Sequence, residues 1–223
     1  MKGKKKETPP VPPGWMTLAE HHAYLKEHGL YEPMLEAQRQ REAEIERYQA
    51  ELRQAETPVI EAVAKVGVEV ERVWDLQSLN EPHPEVVQIL LDHIQKPYRS
   101  EVLEDIGRAL AVPGTRALWP TLVKLYKQAT DRGAKEGLAV ALREHGIKDR
   151  QLVDDVIPLI KDPRNGPSRL YLIDVLTRSR QPHAKQVLVE LRDDPDLYKE
   201  IAVRLKRFEQ SAKRRKKTRK KSS

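Results

Sequence analysis

Residues 152–176, LVDDVIPLIKDPRNGPSRLYLIDVL, decide the fold that we predict for this chain. On both sides of a central DPRNGP segment, apolar residues recur every three or four positions, which is the spacing of one face of an α-helix. The central segment carries proline, asparagine and glycine, the residue types that favour a turn. The stretch therefore predicts a helical hairpin, with two short amphipathic helices joined by a tight turn.

The same pattern recurs along the second half of the chain, at offsets of 32, 34 and 35 residues in the first helix. Because a hairpin covers only one side of its neighbour, such units must stack to bury a continuous core. We therefore predict an all-α, right-handed α-solenoid of about four hairpins over residues 80–209. In the last unit Arg204 stands where earlier units have apolar residues, as an exposed end cap requires. The aligned positions of the first helix are Val86, Leu118, Leu152 and Val187, then Leu90, Leu122, Val156 and Leu191, then Ile94, Tyr126, Ile160 and Pro195, with a flanking column of Val87, Trp119, Val153 and Leu188. Those of the second helix are Leu103, Leu138, Leu172 and Ile201, then Gly107, Leu142, Leu176 and Leu205.

Three segments of the repeat region resemble HEAT-repeat proteins of the short-period bacterial type: ALAVPGTRALWPTLVKLY, LIKDPRNGPSRLYLIDVL and LRDDPDLYKEIAVRLKR. The shared features are the Asp-Pro turn, a proline within the first helix, and a basic residue three positions before the inward leucine of the second helix. Lys135 and Arg169 occupy that basic position. The resemblance covers roughly residues 58–207 and also extends to uncharacterised bacterial HEAT-repeat domain proteins. It implies the fold and, for function, only the binding of a protein or another macromolecule.

Residues 15–79 are predicted to form an N-terminal helical region that caps the stack. Thr17 and Glu20 have the spacing of a capping box, and Gly29 is placed to end the helix that follows. A longer charged helix is expected near residues 33–56, followed by a new helix opened by Thr57 and Pro58.

Four residues of the long helix, Ile45, Tyr48, Leu52 and Ala55, have the alternating spacing of a coiled-coil seam. This seam fits a helix packed on its own body, a dimerisation helix or a detached helix, and the oligomeric state stays open. Farther along the chain, Val66 and Trp74 are expected to be buried.

The net charge of +7 is concentrated at the two ends of the chain. Removing the twelve terminal lysines and arginines from that total leaves −5 for residues 7–212. Residues 1–14, rich in lysine and proline, and residues 210–223 are expected to be disordered. Eight cations within nine residues could bind a polyanion in a salt-sensitive way, or could serve only as a solubilising tail. They are Lys213, Arg214, Arg215, Lys216, Lys217, Arg219, Lys220 and Lys221, and the N-terminal cations are Lys2, Lys4, Lys5 and Lys6.

The chain has no cysteine, which excludes disulfides, thiolate zinc sites and cysteine nucleophiles. It also lacks a secretory signal pattern and any long apolar run, so we expect a cytoplasmic protein with no membrane association. The spacing of the histidines and of the paired aspartates 154–155 and 193–194 fits helix surfaces and caps, so no catalytic, metal or cofactor site is predicted.

Cations on the second helices form the candidate binding set for the concave face of the solenoid. They are Arg99, Arg108, Lys135, Arg143, Arg169 and Arg178. Acidic residues are interleaved with them, so the stripe is of mixed charge.

These patterns favour a non-enzymatic scaffold or adaptor that binds a protein partner through the concave face, with basic tails that contact nucleic acid or another polyanion. The first alternative is a nucleic-acid-binding protein, or an enzyme of the HEAT-like DNA glycosylase type, which uses a basic concave face with a tryptophan and a carboxylate. Trp119 is expected in the core, which disfavours the glycosylase. The second alternative is an immunity protein whose acidic body neutralises a basic toxin.

Overall fold

The computed structural model describes residue 14 and residues 16–79, 83–111 and 116–219, with the backbone alone at residue 116 and residues 212–219. Throughout these residues the secondary structure is helical and contains no β-strand, which confirms the predicted all-α class. Short 3-10 helices cover Val73–Ser78, Arg116–Leu118, Arg150–Leu152 and Pro163–Ser168. The α-helices are α1 (Leu18–Glu27), α2 (Tyr31–Ala64), α3 (Pro84–His93), α4 (Ser100–Ala109), α5 (Trp119–Gln128), α6 (Arg132–Lys148), α7 (Val153–Lys161), α8 (Arg169–Arg178), α9 (Pro182–Glu190) and α10 (Tyr198–Arg219).

The chain divides into two compact units, Met1–Gln54 and Ala55–Ser223. The sequence interpretation placed the boundary later, between residues 79 and 80. The boundary lies at residues 54–55 because the 3-10 helix Val73–Ser78 packs against α4 of the repeat region. Residues 55–79 therefore belong to the same unit as the hairpins.

In the first unit, the predicted capping box at the start of α1 is confirmed. The Thr17 hydroxyl accepts the backbone N–H of Glu20 at 3.3 Å, and the Glu20 carboxylate accepts the backbone N–H of Thr17 at 2.8 Å. Gly29 follows the helix with a φ of +65°, the left-handed conformation that terminates helices and favours glycine. At the start of α2, the ring of Tyr31 packs edge-on against His22, with 5.3 Å between the ring centroids.

The long charged helix α2 runs without a break from Tyr31 to Ala64, so the predicted interruption at Thr57-Pro58 is wrong. A proline inside a helix costs about 3 kcal/mol, because it removes a hydrogen bond and crowds the preceding turn. Just beyond Pro58, Val59 and Val63 lie one turn apart and are fully buried. Burying each valine contributes about 2 kcal/mol, which offsets the cost of the proline and favours one continuous helix.

Several apolar residues of the N-terminal helical region are exposed rather than packed. Val66 is 40% exposed and Trp74 is 52% exposed, so the expectation that they are buried is wrong. Their neighbours Val73 and Leu76 fill the inward positions of the 3-10 helix instead. Ile45, in the predicted seam of α2, is also 57% exposed.

In the second unit, consecutive helices contact each other in four pairs, α3–α4, α5–α6, α7–α8 and α9–α10, which we call the hairpins. The aligned columns of the two middle hairpins are almost completely buried, and Trp119 lies in the core as expected. The exception in the middle hairpins is Leu118, which is only partly buried. The columns are weaker in the last hairpin, where Leu191 and Leu205 are only partly buried and Pro195 is exposed.

The second helices of successive hairpins pack against one another: α4 contacts α6, α6 contacts α8, and α8 contacts α10. We call these four helices the second-helix layer. The contact between α4 and α6 is the most extensive, and glycines on both helices make it possible. A β-carbon on Gly137 would lie 2.3 Å from the backbone carbonyl oxygen of Glu104, and one on Gly133 would lie 1.8 Å from that of Ser100. The two helices therefore meet backbone to backbone, which no larger residue at these positions would permit.

The C-terminal helix α10 continues to Arg219, so the expectation of a disordered segment from residue 210 is wrong as far as residue 219. From Tyr198 to Arg219 the sequence contains no glycine or proline, and lysine, arginine and glutamate are strong helix formers. Residues 220–223 and nearly all of the N-terminal segment 1–14 lie outside the described residues.

The α4–α6 contact can be tested with the substitution Gly137→Ala. The new methyl group would collide with helix backbone, so we expect the free energy of unfolding to fall by about 2 kcal/mol or more. The measurement is urea denaturation followed by circular dichroism.

Gly146→Ala, on the same helix, is the matched control for Gly137→Ala. A β-carbon there would meet side-chain methyl groups, those of Val175 at 3.0 Å and one of Val156 at 3.6 Å. These can shift, and alanine favours helix, so the change should stay within about 1 kcal/mol. Equal effects of the two substitutions would contradict the close approach of α4 and α6.

Candidate binding surfaces

The six cations predicted to form one binding surface occupy different environments. Arg99 precedes α4 and lies 3.8 Å from Glu101, with more than a third of its side chain exposed. Arg178 is exposed at the end of α8 and forms no ion pair with any described residue. Arg108, Arg143 and Arg169 form ion pairs within the fold, and Lys135 is half-buried. The six cations do not form a continuous basic stripe.

Arg108, on α4, is held by contacts to its own helix and to α8. Its guanidinium donates to the Glu104 carboxylate at 2.6 Å and lies 5.6 Å from the ring centroid of Tyr171. The positive charge of Arg108 is therefore neutralised by a carboxylate one helical turn away.

Arg143 belongs to a chain of alternating charges that crosses three helices of the second-helix layer. Its guanidinium, on α6, lies 2.7 Å from the carboxylate of Asp174 on α8. Asp174 is also 2.9 Å from Arg204 on α10, which in turn lies 2.6 Å from Glu200. The chain explains why Arg204 replaces an apolar residue in the last unit, since its charge joins α10 to α8. Arg143 also donates to its neighbour Glu144.

Arg169 is buried, and its side chain is only 1% exposed. Its guanidinium donates to the carboxylates of Asp194 at 2.8 Å and Asp196 at 2.7 Å, and to the backbone carbonyls of Ile160 and Gly166. These bonds attach the loop before α10 to the start of α8. Arg169 is thus a structural residue that a partner cannot reach, which corrects its place in the predicted surface set.

A groove of about 1150 Å³ lies where the turns of the second and third hairpins meet. Its walls are the α5–α6 turn, the first turn of α6, the end of α7 and the turn before α8. Five cations and two carboxylates line it, which gives a net charge of +3. The cations are Lys127, Arg132, Lys135, Lys161 and Arg164, and the carboxylates are Glu136 and Asp162. We call it the turn groove.

Lys135 is the half-buried cation of the turn groove. Its ammonium lies 3.4 Å from the carbonyl oxygens of Ala129 and Arg164, and 5.5 Å from the ring centroid of Tyr126. Loss of hydration on burial lowers the pKa of Lys135. No described carboxylate pairs with it, so its charge is available to a ligand in the groove.

The opposite wall of the groove carries a tight ion pair. Arg164 donates to both carboxylate oxygens of Asp162, at 2.8 to 3.1 Å. The hydrogen bonds from the Arg164 side chain and backbone lower the pKa of Asp162 to about 2, so this carboxylate is ionised at neutral pH. The pair adds polarity to the groove but no net charge.

The basic C-terminal run lies on the last part of α10 from Lys213 to Arg219, where the structure describes the helix backbone. Lys220 and Lys221 lie outside the described residues. The run is therefore presented on a helix, at least as far as Arg219.

A cluster of charged groups that the sequence did not reveal lies around Asp105 on α4. Glu56, fully buried on α2, accepts two hydrogen bonds from Arg72, both at 2.7 Å. Burial and the nearby carboxylates of Glu56 and Glu104 raise the pKa of Asp105 to about 6, and Arg72 and Arg108 offset this only in part. The signal in the sequence is weak, because these residues come from three separate segments.

The histidines take part in local contacts. His28 stacks on Tyr24 with a centroid distance of 4.1 Å, and His183 lies 2.8 Å from Asp154. Within the described parts of the chain, no group of three or more histidine and carboxylate side chains is arranged to hold a metal ion.

Comparison with known protein families, curated proteins and solved structures finds no match to this chain. Among the helices that the structure describes, none is both long and apolar enough to cross a membrane.

Ionisation of Asp105 should destabilise the fold above pH 6. A carboxyl whose pKa is raised on folding contributes stability below its unfolded pKa, near 4, and this stability is lost as the pH rises through about 6. Asp105→Asn should therefore raise the free energy of unfolding by about 1 kcal/mol at pH 8, allowing for solvent screening, and change it little at pH 4. Denaturant titrations at both pH values measure this.

Asp155→Asn, at an exposed position on α7, is the control for Asp105→Asn. The account predicts a difference between pH 4 and pH 8 for Asp105→Asn alone. The same increment for Asp105→Asn at both pH values would contradict the role of its ionisation.

Proposed function

We propose that this protein is a non-enzymatic helical-repeat adaptor. Its second unit would be a right-handed, HEAT-like α-solenoid that binds a protein partner through the exposed surface of α4, α6 and α8, which we call the second-helix face. The basic end of α10 would add salt-sensitive contact with nucleic acid or another polyanion.

The packing of the hairpins supports a solenoid. The second helices contact one another in chain order, and the buried columns repeat from hairpin to hairpin. In a stack of this kind each unit contacts only its neighbours, and the exposed side of the stack forms an extended binding surface.

The charge pairing across the second-helix face is the observation that carries the proposal. Arg143 and Arg204 share the carboxylate of Asp174. Each also has a second carboxylate partner, Glu144 for Arg143 and Glu200 for Arg204, and Arg108 is paired with Glu104. A surface that binds nucleic acid needs cations free to replace the counterions of the phosphates. A charge-balanced helical face with exposed side chains suits a protein partner better.

The position of Trp119 does not support the glycosylase alternative, which needs a tryptophan on the concave face. Trp119 is 6% exposed in the core of the hairpins, where it cannot stack on a base. No particular contact favours the immunity-protein alternative.

The polyanion contact is tested by replacing the eight cations between residues 213 and 221 with glutamine in the full chain. Binding to a fluorescein-labelled DNA duplex is followed by anisotropy at about 50 and 200 mM salt. We expect the parent to lose about a hundredfold or more in affinity between these conditions, and the variant to bind weakly at both. Undiminished binding by the variant would contradict this role of the C-terminal run.

The double variant Arg178→Gln/Arg180→Gln removes two exposed cations from the end of α8 and serves as the control. It should bind DNA within about twofold of the parent. A larger loss would favour the nucleic-acid-binding alternative, in which the repeat surface itself contacts the phosphates.

The protein partner is tested by site-specific photo-crosslinking in extract of the native cell. A photoreactive residue at position 140 or 178 lies on the second-helix face, whereas one at position 124 or 155 lies on a first helix. We expect a discrete adduct, identified by mass spectrometry, from the first two positions only. Adducts from all four positions alike, or from the first helices alone, would contradict the proposed face.

A further inference from the structure

We propose that the turn groove binds an acidic segment of a partner protein in an extended conformation. This inference deepens the proposed function and rests on it, since it states the chemistry that a partner needs. It concerns a second surface, at the turns of the hairpins.

The first argument is charge complementarity. Residues 7–212 carry a net charge of −5, yet the lining of the turn groove carries +3. Counting Glu190, which lies 2.7 Å from Lys161 outside the lining, still leaves +2. An anionic ligand is therefore attracted to this place on an otherwise acidic body.

The second argument is that two of the cations lack a carboxylate partner. Lys127 is exposed and forms no ion pair with any described residue. Lys135 has two long contacts to carbonyl oxygens and lies over the ring of Tyr126, but no described carboxylate forms an ion pair with it. The remaining cations, Arg132, Lys161 and Arg164, are held by Glu136, Glu190 and Asp162. A carboxylate entering the groove would find an unpaired ammonium group at Lys127 or Lys135, and could pair with it without breaking an existing ion pair.

The third argument concerns the size and lining of the groove. A volume of about 1150 Å³ exceeds the range of about 300–1,000 Å³ usual for small-molecule sites, and is far larger than a single phosphate requires. Pro158, Pro167 and Ala129 supply apolar surface between the charges. Ala129 and Thr130, from the non-helical turn before α6, also line the groove.

The same lining disfavours a nucleic acid as the ligand. None of the described residues that line the groove is aromatic, so bases would find no stacking surface.

The experiment uses the full chain with the eight cations of residues 213–221 replaced by glutamine, so that the C-terminal run cannot capture the probe. The probe is a fluorescein-labelled peptide of about nine residues in which glutamates alternate with leucines. The comparison probes are the same peptide with glutamine for glutamate, a short single-stranded oligonucleotide, and inorganic phosphate as a competitor. Affinities are measured by fluorescence anisotropy.

Two substitutions test the groove itself. Lys127→Gln removes an exposed charge, and Lys135→Met removes the half-buried charge while keeping most of the side-chain volume. Each should weaken binding of the acidic peptide by about three- to tenfold, and Arg178→Gln/Arg180→Gln should leave it within about twofold. Circular dichroism verifies that each variant is folded. If Lys135→Met does not fold, the effect of Lys127→Gln, a surface substitution, tests the proposal.

Binding of the acidic peptide that these substitutions weaken would support the proposal. Equal binding of the glutamine peptide, stronger binding of the oligonucleotide, full competition by phosphate at comparable concentration, or no effect of Lys127→Gln would overturn it. If a partner is crosslinked at the second-helix face but the acidic peptide does not bind the turn groove, this inference is contradicted and the proposed function is not.

Discussion

The contact on which the second unit depends is the approach of α6 to α4, where Gly137 lies against the backbone of Glu104. Two helices with ordinary side chains pack about 8–10 Å apart, and glycine at the contact permits a closer approach. The close approach adds dispersion contacts between α4 and α6. At the start of α4, the Ser100 hydroxyl accepts the backbone N–H of Gly133 at 3.0 Å and donates to Asp131 at 2.9 Å. Because α6 also packs against α8, the position of α6 on α4 sets the place of the hairpins that follow.

Ion pairs also hold the helices of the second unit together. Charges on the second helices form pairs across helix boundaries, so that Arg143, Asp174 and Arg204 join three consecutive helices. A buried pair joins the loop before α10 to α8 through Arg169. These pairings use up most of the cations that the sequence offered for binding. Lys127 and Lys135 in the turn groove, and the C-terminal run, lie outside these pairings, and they are where we expect anionic ligands to bind.

The helical class and the four hairpins could be predicted from the sequence because apolar periodicity is a direct consequence of burial on one side of a helix. Columns such as Leu122 and Val156 are fully buried, as the repeat required. The sequence also contains a sign of the glycine contact, since Gly107 aligns with three leucines, but periodicity alone assigns no partner to a glycine.

Features that depend on three-dimensional partners could not be predicted in this way. A basic residue before an inward leucine looks the same in the sequence whether it is half exposed, like Lys135, or fully enclosed, like Arg169. Arg169 is enclosed because it bonds to Asp194 and Asp196, which lie about 25 residues farther along the chain. The turn groove is formed by segments from two hairpins. Some of its cations are neutralised by ion pairs and others are not, and the sequence alone does not show which.

Hydrogen–deuterium exchange of the full chain tests the central role of the second-helix layer most directly. If α4 and α6 form the most tightly packed part of the second unit, their backbone amides should exchange last and at a common rate, with α8 close behind and α1 much faster. Exchange of α4 or α6 as rapid as that of α1, or large differences in rate between α4 and α6, would contradict this account.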